Sequence, residues 1–140
     1  MAAAAETALR LALEGQPART DRVRRLNARL RRALAGYPAV RINSPADAVP
    51  HILNLSVRGV RGTAFQQALS RQGVCVSVKS ACATEGTPSR AVMAVSRDRK
   101  NALSSWRISL SHLTIDEELD AFLEIFDGIY RKLTAGASGV

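Results

Sequence analysis

Cysteines, histidines and aromatic side chains are scarce in this chain of 140 residues, and each shortage excludes something. Cys75 and Cys82, the two cysteines, cannot build a disulfide framework, so the chain is suited to a reducing compartment. With no third or fourth ligand in reach, and with His51 and His112 far off in sequence, their seven-residue spacing does not describe a zinc site. One Trp, two Tyr and three Phe do not interleave with the arginines, as a base-stacking nucleic-acid platform would require. No apolar run approaches the roughly 20 residues needed to cross a bilayer. The opening Met1-Ala2-Ala3-Ala4-Ala5-Glu6 lacks the basic and apolar regions of a signal peptide. These absences predict a cytoplasmic protein that does not engage membranes.

What is present is ordinary globular composition, 46% hydrophobic and 23% charged, at a length that predicts one domain. The net charge of +8 is concentrated in Arg19, Arg22, Arg24, Arg25, Arg29, Arg31, Arg32 and Arg41, opposed locally by Asp21 alone. Such a cluster is a phosphate-binding face, a solvated helix face, or a surface that meets acidic residues elsewhere. Nucleic acid is the least favoured of these, because stacking side chains are missing.

Periodicity orders the chain as α-α-β-β-α-β-α-β-α. Glu6 to Glu14 reads as helix, broken or at least kinked at Gly15-Gln16-Pro17. A second helix carries Val23, Leu26, Leu30, Ala33 and Leu34 on its buried stripe. Val40–Ile42 and His51–Val57 read as strands, the second apolar on nearly both faces and hence central. After a flexible Gly59–Gly62 connector, Thr63–Gln72 is a helix stopped by Gly73. Gly73 to Val78 reads as a strand in which Cys75 is a small core residue. A helix from Pro88 capped by Thr87, a charged loop over residues 96–101 and a strand Trp106–Leu110 follow. Thr114 and Glu117 form a capping box for a last helix with Leu119, Phe122, Phe126 and Tyr130 on one face. The pattern predicts an α+β layer, a small mostly antiparallel sheet of about four strands with helices packed on it. The expected division is N-terminal interdomain helices over 1–36, a small α+β domain over 37–134, and a tail over 135–140. His51 and His112, at strand ends, read as packing or capping residues.

The organising stretch is Val76-Ser77-Val78-Lys79-Ser80-Ala81-Cys82-Ala83-Thr84-Glu85-Gly86-Thr87-Pro88, a polar loop between a strand and a helix start. Lys79, Arg90 and the helix N-terminus favour the thiolate of Cys82, the nucleophilic form, while Glu85 opposes it. Spacing alone fits a small residue in a tight loop equally well.

Three segments, in order and in register from about residue 50 to 133, resemble the small domain of cysteine desulfurases. Pro50-His51-Ile52-Leu53-Asn54-Leu55-Ser56 resembles its opening strand, and Ser77-Val78-Lys79-Ser80-Ala81-Cys82 its active-site loop. Ser105-Trp106-Arg107-Ile108-Ser109-Leu110 with Thr114-Ile115-Asp116-Glu117-Glu118-Leu119-Asp120 resembles its last strand and helix. The resemblance implies the aminotransferase class V fold and an enzyme that uses pyridoxal phosphate to take sulfur from L-cysteine. Alanine leaves, and a persulfide stays on a loop cysteine for iron–sulfur or tRNA-thiolation acceptors. By position, Cys82 is the implied nucleophile and Arg107 the implied anchor of the substrate carboxylate, a task suited to a guanidinium. The active-site loop spans residues 79–90, and Lys79 stands where family loops usually carry glycine.

The resemblance also implies a large cofactor-binding domain upstream, holding the Schiff-base lysine, the ring-stacking residue and most phosphate ligands. Lys79, Lys100 and Lys132 are the only lysines, and none lies in such a motif. The chain is therefore expected to be a fragment or one piece of a split protein, inactive alone, with the missing large domain, sulfur-acceptor proteins and a second copy as partners. Two alternatives compete: a stand-alone persulfide carrier using Cys82 without cofactor, and a basic nucleic-acid-binding domain.

Overall fold

The structure, a computed structural model, describes residues 2–78 and 86–137. Its longest element, α1 (Ala2–Leu34), has Pro17 inside it. The predicted break between two helices is therefore absent. Proline removes the N–H that would serve the Leu13 carbonyl, a loss that kinks a helix without necessarily ending it. Here Arg19 Nη2 donates to the carbonyls of Leu11 (3.0 Å) and Ala12 (2.6 Å), in the turn before the proline. Gly15 makes room, since a Cβ there would lie 2.8 Å from that same nitrogen.

Only the second half of α1 is buried, through Val23, Leu26, Asn27, Leu30 and Leu34, a stripe at helical spacing. It packs against α5 (Asp116–Ala137), whose Leu119, Phe122 and Phe126 are buried. Leu9, Leu11 and Leu13 in the first half are each more than half exposed.

Among the described residues three strands form the sheet, β1 (Val40–Ile42), β2 (Ile52–Val57) and β3 (Ser105–Ser109), antiparallel in the order β1-β2-β3. The α+β class is as expected, and β2 is central. The register pairs Leu53 with Ile108 and Leu55 with Trp106 on the face that joins the core. Side chains alternate along a strand, so Asn54, Ser56, Ser105 and Arg107 belong to the opposite face. Trp106 stacks on Phe65 of α2 (Gly62–Ser70), with ring centroids 5.1 Å apart, and both are fully buried.

Several local expectations change. Among the described residues, the Cys75 segment contributes one isolated bridge, Ser77 with Arg107, rather than a fourth strand. Cys75 is exposed rather than a core residue. Gly62 is no flexible connector. It is buried, and a Cβ on it would sit 2.4 Å from the Ser105 carbonyl oxygen, so its bareness lets α2 meet β3. Gly73 does take the left-handed conformation (φ +78°) after α2.

The helix α3 (Arg90–Ser96) is capped by Ser89 rather than Thr87, with Ser89 Oγ accepting from Val92 N–H at 3.4 Å. The expected charged loop becomes α4 (Arg99–Ser104), because Asp98 Oδ1 accepts from Asn101 N–H at 3.0 Å and caps it. In place of the Thr114–Glu117 capping box, the carboxylate half alone forms one residue on, with Ile115 N–H donating to Glu118 Oε2 at 3.1 Å. Thr114 Oγ1 accepts from Ser111 N–H at 3.1 Å instead. His51 and His112 are exposed, not packed.

Candidate functional site

The polar face of the sheet floors a cleft of about 900 Å³. Arg107 reaches it from β3 and Asn54 from β2, with Arg41, Ser77 and Arg90 also in its walls. Asn54 and Arg107 are direct register partners. Their pairing is of the kind without mutual backbone hydrogen bonds, because Arg107 N–H and C=O are both turned to Ser77 (2.6 and 3.1 Å). Side chains stand closest in such a pair. Asn43, Asn54, Arg107 and Ser77 thus form a polar row across the cleft.

Three guanidiniums line this cleft, and among the described lining residues there is no aspartate, glutamate or lysine. Arg41 is partly neutralised by Asp98, at 3.6 Å. The surplus positive charge, with donors from amide and hydroxyl side chains beside it, suits an anion, and a guanidinium suits a carboxylate in particular.

Beneath the row lies a satisfied polar network. Asn43 Nδ2 donates to Asn54 Oδ1 (2.9 Å) and to Ser56 Oγ (2.8 Å), while Asn101 Nδ2 donates to Asn43 Oδ1 (2.9 Å). Ser56 Oγ donates to the Asn101 carbonyl at 3.0 Å. Ser56 and Asn101 are buried, so these partners remove the cost of polar groups without water. The network ties α4 to β1 and β2 behind the cleft. None of Asn43, Asn54 or Asn101 stands out as a candidate in the sequence. The available signal was the shared parity of Asn54 and Ser56 in the otherwise apolar stretch from Ile52 to Val57.

Of the site residues expected from sequence, Arg107 lines the cleft, as does Arg90. Cys82, Lys79 and Glu85 lie outside the described residues. Val78 and Thr87, the last described residue before that segment and the second after it, both line the cleft.

The arginine cluster is spent largely on internal ties. Arg29 pairs with Asp116 (2.8 Å) and with Asp120, linking α1 to α5. Arg31 donates to Asn27 Oδ1 (2.7 Å) and to the carbonyls of Ser44 (3.0 Å) and Pro45 (2.8 Å). Arg22 donates to the Thr114 carbonyl at 3.0 Å. With Arg19, Arg24 and Arg41 also engaged, six of the eight have partners. Asp21 is therefore not their only opposing charge once the chain folds.

Among the described residues, no three His, Cys, Asp or Glu side chains gather as a metal site. Nor is any described helix long and apolar enough to cross a membrane.

Fold and cleft together describe an α+β unit with a cationic cleft on the polar face of its sheet. The profile of the aminotransferase class-V family matches residues 2–122, and the chain belongs to that family. A NifS/IcsS protein homologue from Lactobacillus delbrueckii subsp. bulgaricus is 33% identical over 135 residues, covering 94% of this chain and 35% of the relative. The cysteine desulfurase IscS of Clostridium botulinum is 30% identical over 130 residues, covering 89% and 33%. Among solved structures, the NifS-like protein of Rickettsia africae superposes with a TM-score of 0.75 at 25% identity, covering 86% of this chain and 31% of that one. The chain spans about a third of the length of the curated relatives it matches.

Proposed function

We propose that this chain is the C-terminal small domain of a cysteine desulfurase. In the complete enzyme, L-cysteine and the thiol of Cys82 become L-alanine and a persulfide on Cys82, a transfer that balances without an added oxidant. The observation that supports this reading is the cationic cleft floored by Arg107, with Val78 and Thr87, which flank the Cys82-bearing stretch of sequence, in its walls. Arg107 holds the carboxylate of the amino acid, and Cys82 receives its sulfur.

Family membership implies pyridoxal phosphate in the full-length enzyme, which would supply the electron sink for cleaving the carbon–sulfur bond. The described residues do not fit that cofactor. The cleft offers no described lysine for its aldehyde and no carboxylate for its ring nitrogen, while Lys100 and Lys132 are exposed on α4 and α5, away from the cleft. Those groups belong to a large domain that joins this one, and the bare Leu9, Leu11 and Leu13 offer it apolar surface. The small domain comprises residues 37–134 together with the buried stripe of α1 from Val23 to Leu34, which shares its core. The first half of α1 leads from the large domain, and the expected tail from 135 begins instead as the last turn of α5, which runs to Ala137. The assembled enzyme is a cytoplasmic homodimer serving iron–sulfur or tRNA-thiolation acceptors.

The test is reconstitution. The chain with L-cysteine and pyridoxal phosphate yields no alanine; adding a separately produced cofactor-binding portion of a relative restores alanine and adds one sulfur atom to Cys82 by mass spectrometry. Alanine from the chain alone, or alanine formation that persists in Cys82→Ala, overturns the reading. A persulfide acquired by Cys82 from an intact desulfurase, with no reconstitution, would instead favour a stand-alone sulfur carrier.

A further inference from the structure

We propose that Asn54 is a second carboxylate-binding residue of the cleft, presenting its amide N–H groups beside the Arg107 guanidinium, and that Ser56 fixes this orientation. The inference rests on the carboxylate reading of the cleft above and adds a named ligand group and its positioning device.

An asparagine facing an arginine has two possible effects. With its oxygen toward the guanidinium it neutralises donors that a ligand needs; with its NH₂ outward it adds donors for the same anion. The two orientations are nearly isosteric, and the hydrogen bonds around them decide. In this network the decision falls to Ser56. A serine hydroxyl has one proton, and Ser56 Oγ gives it to the Asn101 backbone carbonyl at 3.0 Å, an acceptor that cannot turn round. Toward Asn43, 2.8 Å away, Ser56 Oγ can then only accept.

Asn43 must therefore present its NH₂ to Ser56, and the other hydrogen of that NH₂ reaches Asn54 at 2.9 Å. The Asn54 atom facing Asn43 must be the oxygen. Its NH₂ is left for the cleft side, where the register partner is Arg107. Asn101 closes the set from below by donating to Asn43 Oδ1 at 2.9 Å. The backbone of Asn54 is equally fixed, its N–H donating to Ser44 Oγ (2.9 Å) and its carbonyl accepting from Asn43 N–H (2.8 Å). A carboxylate over the Asn54–Arg107 pair thus meets donors from two neighbouring strands, already oriented.

Side-chain resonances of the ¹⁵N-labelled chain, titrated with sodium acetate against sodium chloride at equal ionic strength, test this. The expected result is that the Asn54 Nδ2 and Arg107 Nε signals shift together with one apparent dissociation constant. Asn54→Asp, which places a like-charged acceptor there, weakens acetate binding by about tenfold or more. Ser56→Ala removes the tie-breaker, and the Asn54 amide then shows two orientations with binding weaker by about threefold. Arg107 shifting while Asn54 stays unmoved overturns the proposal and leaves the carboxylate reading of the cleft intact. Neither signal moving overturns both. The unsubstituted titration decides even where a variant fails to fold.

Discussion

Ser77 and Arg107 exchange both of their backbone hydrogen bonds, Ser77 N–H to the Arg107 carbonyl at 3.1 Å and Arg107 N–H to the Ser77 carbonyl at 2.6 Å. This single bridge joins the segment that leads to Cys82 to the strand that holds the guanidinium. Replacing Ser77 by proline deletes one donor, at a cost of about 1 kcal/mol to stability. The functional cost is expected to be larger, since the bridge sets where the loop begins relative to Arg107. The rate of persulfide formation on Cys82 in the reconstituted enzyme should fall by up to about a hundredfold, the loss that a shift of near 1 Å can cause at reacting groups. Ser77→Ala keeps both backbone bonds and should stay near the original rate.

Arg29 gathers Asp116 and Asp120 onto α1, and these carboxylates sit in the first turns of α5. All three side chains are substantially solvent-exposed, so the pairs are screened and individually weak. Arg29→Met keeps the aliphatic stem and removes the charge. Urea denaturation should show a loss of about 0.5–1 kcal/mol at low salt. The difference should shrink toward zero at about 1 M sodium chloride, where the Debye length is near 3 Å. A loss independent of salt would assign the role of Arg29 to packing.

The elements legible in the sequence were those whose signal is carried by their own residues. The stripe from Val23 to Leu34, the central strand around Leu53 and Leu55, and the last helix through Phe126 all follow from periodicity. Misreadings occurred where a distant partner decides. The helix α1 runs through Pro17, with Arg19 donating to the carbonyls of Leu11 and Ala12 just before it, and nothing local to Gly15-Gln16-Pro17 announces that continuity. Asp98 turned a charged stretch into α4 with one hydrogen bond. Cys75, flanked by valines, is exposed because the bridge at Ser77 does not extend into a strand that would bury it.

The site was legible in the same uneven way. Arg107 stood out through a motif, and its place on the cleft follows from strand alternation. Asn43 and Asn101 could not be found from sequence, since 58 positions separate two side chains that touch at 2.9 Å. The acidic partners of Arg29 lie even further along the chain, in α5.

Gly62 and Gly73 are needed for different reasons, and alanine distinguishes them. At Gly62 the limit is space, a Cβ being placed 2.4 Å from the Ser105 carbonyl oxygen. Backbone meets backbone there, so α2 must shift from β3 at a cost of about 1–3 kcal/mol. At Gly73 a Cβ meets nothing within 4 Å, and the limit is the conformation, φ +78°. Gly73→Ala should cost about 1–2 kcal/mol through the backbone alone. Near-ultraviolet circular dichroism separates the two, because only the Gly62 variant disturbs the packing of Phe65 on Trp106.

Tyr37 gives the chain a specific alkaline weakness. Its ring meets Phe126 edge-on, with centroids 5.1 Å apart, and its hydroxyl donates to Asp127 Oδ1 at 3.2 Å. Burial first, then the negative charge of Asp127 and the hydrogen bond to it, raise the Tyr37 pKa above the ordinary tyrosine value; Arg131 pulls the other way. The folded state thus holds the phenolic proton more tightly than the unfolded chain does. That contribution to stability is complete below the unfolded value, about pH 10, and is lost as pH rises through the higher folded value. Stability measured by urea denaturation should fall more steeply above about pH 10 in the parent chain than in Tyr37→Phe, whose ring cannot ionise. At neutral pH the variant loses only the Asp127 hydrogen bond, about 1 kcal/mol or somewhat more because the acceptor is charged. Parallel alkaline limbs in the two proteins would show that the Tyr37 proton is held no more tightly after folding than before.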